Sequence, residues 1–248
     1  MSATSADQHE PVGQRAGARD STLVIHQVVR EEILTGVLLP DTWISQVRLA
    51  KRFGVSRGPV REALRLLERE GLIEAAVNQR ARVTAFSVGD LEQLYAARIV
   101  NEGLSIAISV PRFTDADIAC LRDLLEEMDG LAGSDVARWE KVHRRFHTEL
   151  VKHAGVRITR MLEQFYDHSE RYRRVYITGD PRAWSIGAAE HRQIVEACAA
   201  RDAPLAAAQL GRHLSRTALT GLTLMAPEHE PATVRAAVRQ LTTAIEKC

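Results

Sequence analysis

The sequence is short of the features that mark several protein classes. It holds three cysteines in 248 residues, Cys120, Cys198 and Cys248, an odd number set far apart. That spacing supports neither a disulfide framework nor a cysteine metal site, and it suits a reducing compartment. No apolar run approaches the ~18 residues of a membrane span, and the polar start MSATSADQHE lacks the apolar core of a signal peptide. The expectation is a cytoplasmic chain with no membrane partner. Neither sign of charge dominates, the formal balance being +1. There is no Gly-rich phosphate loop, no nucleophile elbow and no His-Glu-x-x-His, so the familiar catalytic signatures are missing and no enzyme is expected.

What remains is an ordinary globular composition, 45% hydrophobic and 26% charged, at a length that allows one or two domains. The best organised stretch is GVSRGPVREALRLLEREGL, residues 54–72. Gly54-Val55-Ser56 reads as a tight turn, with Ser56 placed to accept the first N–H groups of a helix. Val60, Ala63, Leu64 and Leu67 then repeat at the spacing of one buried helical face, while Arg57, Arg61 and Arg65 fall four apart on the opposite stripe. Gly71 supplies a stop. Upstream, Val47, Ala50 and Phe53 outline another short amphipathic helix. Two short helices about a glycine turn, the second bearing an arginine row, suit a helix-turn-helix. The same pattern would also suit a plain helical hairpin with a charged face.

Residues 1–20 lack periodicity and read as a disordered tail, with helical patterning from Ser21 through Ile25, Val28, Val29, Ile33 and Leu34 up to Gly36. Pro40 and Asp41 mark a turn. Leu72–Ala75 and Ala81–Phe86 read as two strands joined at Val77–Arg80, a wing. Residues 21–86 carry 10 Arg or Lys against 7 Asp or Glu, and residues 87–248 carry 21 against 22, so the small basic excess lies in the first segment. Beyond Ser87 only helical periodicity appears, over about 88–110, 114–131, 135–154, 156–177, 182–201, 203–224 and 231–246, with Gly130, Gly155 and Gly179 at breaks. Thr114 with Asp117 gives a capping pattern. The expected fold class is mainly α: a winged helix-turn-helix followed by an all-α bundle.

The run VVREEILTGVLLPDTWISQVRLAKRFGVSRGPVREALRLLEREGLIE resembles the GntR family of bacterial winged-helix regulators. The second segment resembles the FCD ligand-binding domain of that family's FadR-like branch, through DLEQLYAARIVNEGLSIAIS, RRFHTELVKHAG and EHRQIVEACAARDAPLAAAQLGRHLSRT. The resemblance implies a winged-helix DNA-binding domain over 21–86, an effector-binding domain over 87–226, and a C-terminal extension, 227–248, outside the usual module. It implies DNA contacts from Arg48, Arg57 and Arg61, with Ser56, Gly58 and Pro59 at the helix entry; in the wing, where the family's Gly is absent, Arg80 and Arg82 are placed instead to reach phosphates or the minor groove. Four positions depart from the family pattern: Asp41 replaces Gly in the turn, Val77 and Arg80 replace the wing's Pro and Gly, and Val156 stands where Asn is frequent.

His143 and His147 are four apart and so share one helix face, which by itself is weak evidence; each could be a surface or cap histidine. Metal-binding FCD domains use an Asp or Asn, a His four residues on, and one His from each of two later helices. His147, His191 and His213 match the histidine positions, and His143 stands where the family has Asp or Asn. Replacing an anion with imidazole favours zinc, with nickel as an alternative, over manganese. By resemblance Arg98 faces the cavity and takes an effector carboxylate; a pair with Glu102 one turn along is the plain alternative. The implied protein is a homodimeric repressor on a palindromic operator, released by a small organic acid at the metal. The alternatives are a metal-free sensor of an acyl or other apolar ligand, a metal that only staples the bundle, and a metal-dependent enzyme fused to a winged helix.

Overall fold

The computed structural model describes residues 12–76, 80–180 and 182–246. The chain forms two compact units that meet in sequence at Ala85 and Phe86.

In the first unit, helix α1 (Val12–Leu34) precedes β1 (Trp43–Ser45), α2 (Gln46–Phe53), α3 (Arg57–Arg69), β2 (Ile73–Ala76) and β3 (Arg80–Val83). The strands form an antiparallel sheet in the order β1-β3-β2, with Ile44 and Ala75 both opposite Ala81. Ile25 and Val29 of α1 pack on Val60, Ala63, Leu64 and Leu67 of α3, and Ile44, Leu72, Ile73 and Val83 close the core beneath the sheet. Glu70 binds α3 to α1, accepting hydrogen bonds from His26 Nε2 at 2.6 Å and Arg30 Nε at 2.8 Å.

Several local expectations are corrected. The helical backbone of α1 begins at Val12, not Ser21, so the tail expected over 1–20 is helical in its second half; residues 1–11 lie outside the described residues. Ser45, not expected as a cap, accepts from Arg48 N, whereas Ser56 at the start of α3 makes no side-chain cap bond. In α2 the buried face is Leu49 and Ala50, and Val47 points to solvent. The three-residue β1 had no legible alternation, being completed by pairing with β3 rather than by its own pattern. The wing turn at 77–79, including Val77, lies outside the described residues. Gly54 and Gly71 do take the left-handed backbone that ends α2 and follows α3, at φ +65° and +67°.

The second unit is helical throughout its described residues: α4 (Val88–Ser109), α5 (Asp115–Leu131), α6 (Val136–Leu150), α7 (Val156–Gly179), α8 (Ala183–Ala199), α9 (Ala203–Met225) and α10 (Ala232–Ile245). Thr114 and Asp117 form the expected reciprocal capping box at the start of α5. Gly130 lies inside α5; the break falls at Gly133, at φ +72°. Ile99, Ile106, Leu121, Phe146, Leu150, Leu162, Ile194, Leu210 and Leu214 fill the core. The C-terminal extension packs on α4 and α9 as α10. Leu241 sits in a notch cut by two glycines: a Cβ on Gly103 or Gly211 would lie 2.6 or 2.5 Å from its side chain.

Candidate metal centre and arginine surface

Burial separates the two faces of α3. Val60, Ala63, Leu64 and Leu67 are buried, while Arg57, Gly58, Arg61 and Arg65 are exposed and Pro59 is half-buried. Ion pairing separates the arginines further. Arg65 pairs with Glu62, Arg52 with Glu32, and Arg82 with Asp41 and Glu74. Arg48, Arg61 and Arg80 are exposed and form no carboxylate pair among the described residues. Arg48 and Arg80 come together, lining one surface hollow with Trp43, Ile44 and Ser45. Trp43, which no sequence pattern singled out, is half exposed there; a lone aromatic carries no periodic signal.

The four histidines converge in the second unit. His143 and His147 project from α6, His191 from α8 and His213 from α9. All four are buried, and their ligand atoms lie within 4.8 Å of one another. His191 Nε2 and His213 Nε2 are 3.3 Å apart, close to the ~3.3 Å edge of a tetrahedron with the usual Zn–N bonds. His143 Nδ1 and His147 Nε2 are fully buried with no hydrogen-bond partner among the described residues. Buried ring nitrogens without a partner are rare, and two of them turned toward further histidines fit a divalent cation.

Two carboxylates fix the tautomers. His147 Nδ1 lies 3.1 Å from Glu102 Oε2, and His213 Nδ1 lies 2.8 Å from Glu190 Oε2. Burial would push both carboxyls up, but Arg98 and His147 on Glu102, and Arg216 and His213 on Glu190, hold each at about 2. An ionised carboxylate accepts, so each imidazole donates from Nδ1 and leaves its Nε2 lone pair for the centre. Burial holds the imidazoles neutral: His147 is lowered to about 4 against the pull of Glu102, and His143 and His191 fall well below the ordinary value. Neutral imidazoles are the metal-binding form. His143 also stacks on Trp139, with ring centroids 4.5 Å apart.

Arg98 is 1% exposed, and its Nε donates to Glu102 Oε1 at 2.7 Å. It adjoins the rings of Tyr95 and Tyr166 and is not among the residues lining the cavity beside the histidines. Of the two sequence readings, the Glu102 pair is the one formed. The cavity measures about 30 Å³ and is lined by His143, His191, His213, Trp139, Trp184 and Arg173, among others. Arg173, for which no sequence pattern spoke, is the only arginine lining it among the described residues, and it is held by Glu140 through Nε at 3.0 Å to each carboxylate oxygen.

A winged-helix unit with an exposed arginine face, followed by a helical unit built round buried histidines, defines the class of DNA-binding regulators with a helical C-terminal domain. Residues 22–83 match the profile of the bacterial regulatory proteins of the gntR family, and residues 93–216 match the FCD domain. The chain belongs to the GntR family of transcriptional regulators, in the branch with a C-terminal FCD domain, and it is not an enzyme. It is similar to the HTH-type transcriptional regulator YdhC of Bacillus subtilis, at 32% identity over 70% of this chain and 79% of that one. It is also similar to the HTH-type transcriptional repressor GlaR of Escherichia coli, at 28% identity over 75% and 89%. In fold it resembles E. coli McbR/YncC, with a TM-score of 0.66 at 22% identity over 79% of this chain and 94% of that one. No helix among the described residues is long and apolar enough to cross a membrane.

Proposed function

We propose that this regulator is a homodimeric repressor whose hold on a short palindromic operator is controlled at a zinc site made by His143, His147, His191 and His213. The observation that carries this reading is the convergence of four buried imidazoles, two of them oriented by ionised carboxylates. When bound, zinc supplies positive charge and an open coordination position for an anionic oxygen. Nickel suits the same all-nitrogen set; manganese suits it less without a carboxylate ligand.

The chain's own residues set the limits on the effector. The three arginines nearby, two buried and Arg216 half-buried, each have a carboxylate: Arg98 has Glu102, Arg173 has Glu140 and Arg216 has Glu190. The four imidazoles are neutral, so the charge of a divalent ion is uncompensated and a small carboxylate is the natural partner. A cavity of about 30 Å³ suits a small group such as a short carboxylate and disfavours the alternative of an acyl-chain sensor. Arg98 acts on this site through Glu102 and His147 rather than by touching the effector.

On the DNA side, Arg57 and Arg61 open the recognition helix, while Arg48 and Arg80 reach phosphates beside it. One short helix reads few base pairs, so twofold symmetry supplies the remaining specificity.

Elemental analysis of the purified protein tests the metal, with zinc near one equivalent expected and its loss in His191→Ala. Calorimetric titration with acetate then separates sensor from staple. Binding to the zinc-loaded but not the stripped protein supports the sensor; metal without carboxylate binding leaves only the staple.

A further inference from the structure

Helix α7 supplies none of the four histidines, yet it touches every element that does so or orients one. Tyr166 OH donates to the carbonyl oxygen of His147 at 3.3 Å. Arg173 grips Glu140, one turn before His143 on α6, and lines the cavity beside His143, His191 and His213. Tyr176 OH accepts from Arg216, whose Nε donates at 2.6 Å to Glu190, the carboxylate that orients His213.

Two intervening residues of α7, Arg171 and Tyr172, point elsewhere. Tyr172 OH donates to Asp90 Oδ2 at 2.6 Å and accepts from the Ser87 amide at 3.4 Å. Arg171 donates to the same Asp90 oxygen at 2.9 Å and to Tyr172 OH at 2.7 Å. Its guanidinium also lies over the rings of Phe86 and Tyr172. Residues 86–90 are the first of the second unit, following directly on Ala85, where the winged-helix unit ends. Tyr172 and Arg171 are buried, whereas Phe86, Ser87 and Asp90 are exposed, so the clasp closes at the surface of the second unit over a buried base.

We propose that α7 is the strut by which occupancy of the four-histidine site is communicated to residues 86–90, with Tyr172 and Arg171 as its positioning residues at the junction. The proposal rests on the metal reading above. An α-helix is stiff along its axis, and Arg173 follows Tyr172 directly in sequence. Residues 171–177 therefore cannot shift at the cavity without shifting at the clasp. Drawing α6, α8 and α9 together around an ion restrains Tyr166, Arg173 and Tyr176 at once, and the same helix then holds Asp90 and Ser87 more firmly. The clasp is where the chain leaves the DNA-reading unit, so its restraint gives the site a route to the operator.

Hydrogen exchange of the full-length protein, with zinc and with a chelator, tests this without any need for the effector. In the wild type, zinc is expected to slow exchange across α8 and α9 and also at the amides of 86–91, the latter by roughly tenfold. In Tyr172→Phe, which keeps the ring on Phe86 and loses the hydroxyl, zinc still protects α8 and α9 but changes 86–91 by less than about twofold. Asp90→Asn, a second variant of unchanged shape, gives the same pattern. Zinc protection at 86–91 that is absent in the wild type, or undiminished in both variants, overturns the strut. Absence of zinc protection on α8 and α9 in the wild type overturns the metal reading itself, and the strut with it.

Discussion

Glu102 holds His147 from the far side of the four-histidine cluster: its Oε2 lies 3.1 Å from His147 Nδ1, and both side chains are buried. Arg98 closes the chain behind it, one helical turn earlier on α4. Such a carboxylate fixes which ring nitrogen is free and makes the imidazole a stronger donor. Glu102→Gln is therefore expected to weaken zinc binding by about 10–100-fold, as removal of an outer partner generally does. Arg98→Ala acts in the same direction, because Glu102 would be left buried without its cation. A competition titration against a zinc-binding dye measures both. Unchanged zinc affinity in Arg98→Ala, with acetate binding lost, would restore Arg98 as a direct effector contact.

The notch for Leu241 makes a second test. A side chain at Gly103 on α4 or Gly211 on α9 would run into the Cδ atoms of Leu241 and force them aside, and Gly103 follows Glu102 directly. Gly103→Val or Gly211→Val is expected to displace α10 and to cost about 1–3 kcal/mol in urea unfolding, the usual range for overpacking. Leu241→Ala in the Gly211→Val background should recover part of that loss, since the clash is with Leu241 itself. No recovery would mean that the valine is rejected by something other than α10.

How far the sequence carried the structure follows from these same residues. The helices of the second unit were legible because their apolar positions repeat over many turns, as from Ile99 to Ile106 on α4. The histidines were placed by family resemblance and not by spacing, since only His143 and His147 are close in sequence. Glu102 and Glu190 were not legible as orienting groups: a glutamate on a helix looks alike whether it faces solvent or an imidazole 45 or 23 positions away. Arg173 was hidden for the same reason, sitting among Arg171 and Arg174 in a run that reads as a solvated face. The three residues of β1 are too few to show alternation, and Val12–Asp20 lacks any apolar stripe to announce its helix.

A third prediction concerns Cys198, which is fully buried on α8 while Cys120 is partly exposed. Burial pushes the Cys198 thiol up from 9.0 to about 12, against a small opposing effect of Arg201. The folded value is raised, so the neutral thiol's contribution to stability is present below pH 9 and is lost as pH rises from 9 toward 12, where only the unfolded chain ionises. Iodoacetamide at pH 8 is thus expected to modify Cys120 and to spare Cys198 until the fold is opened with urea. Cys198→Ala should flatten the decline of stability above pH 9, at some cost in packing at neutral pH. Rapid alkylation of Cys198 in the native protein would show that α8 opens far more readily than its packing implies.

The last prediction separates the arginines that read DNA from those that serve the fold. Arg61 faces solvent from the start of α3 with no carboxylate partner among the described residues, whereas Arg65, one turn on, is paired with Glu62. A base-reading arginine replaced by Ala costs about 1–3 kcal/mol and relaxes one position of the site, so Arg61→Ala and Arg57→Ala should each broaden the consensus selected from a random DNA pool. Arg48 and Arg80, brought together beside Trp43, sit off the recognition helix. Their loss should instead weaken binding alike on every sequence and lower the salt slope by about 1 each. Arg65→Ala should change affinity by less than either group, because its charge is already shared with Glu62. Equal losses for Arg61, Arg48 and Arg65, with no change in consensus, would mean that α3 rides over the backbone and that sequence is read by some other element.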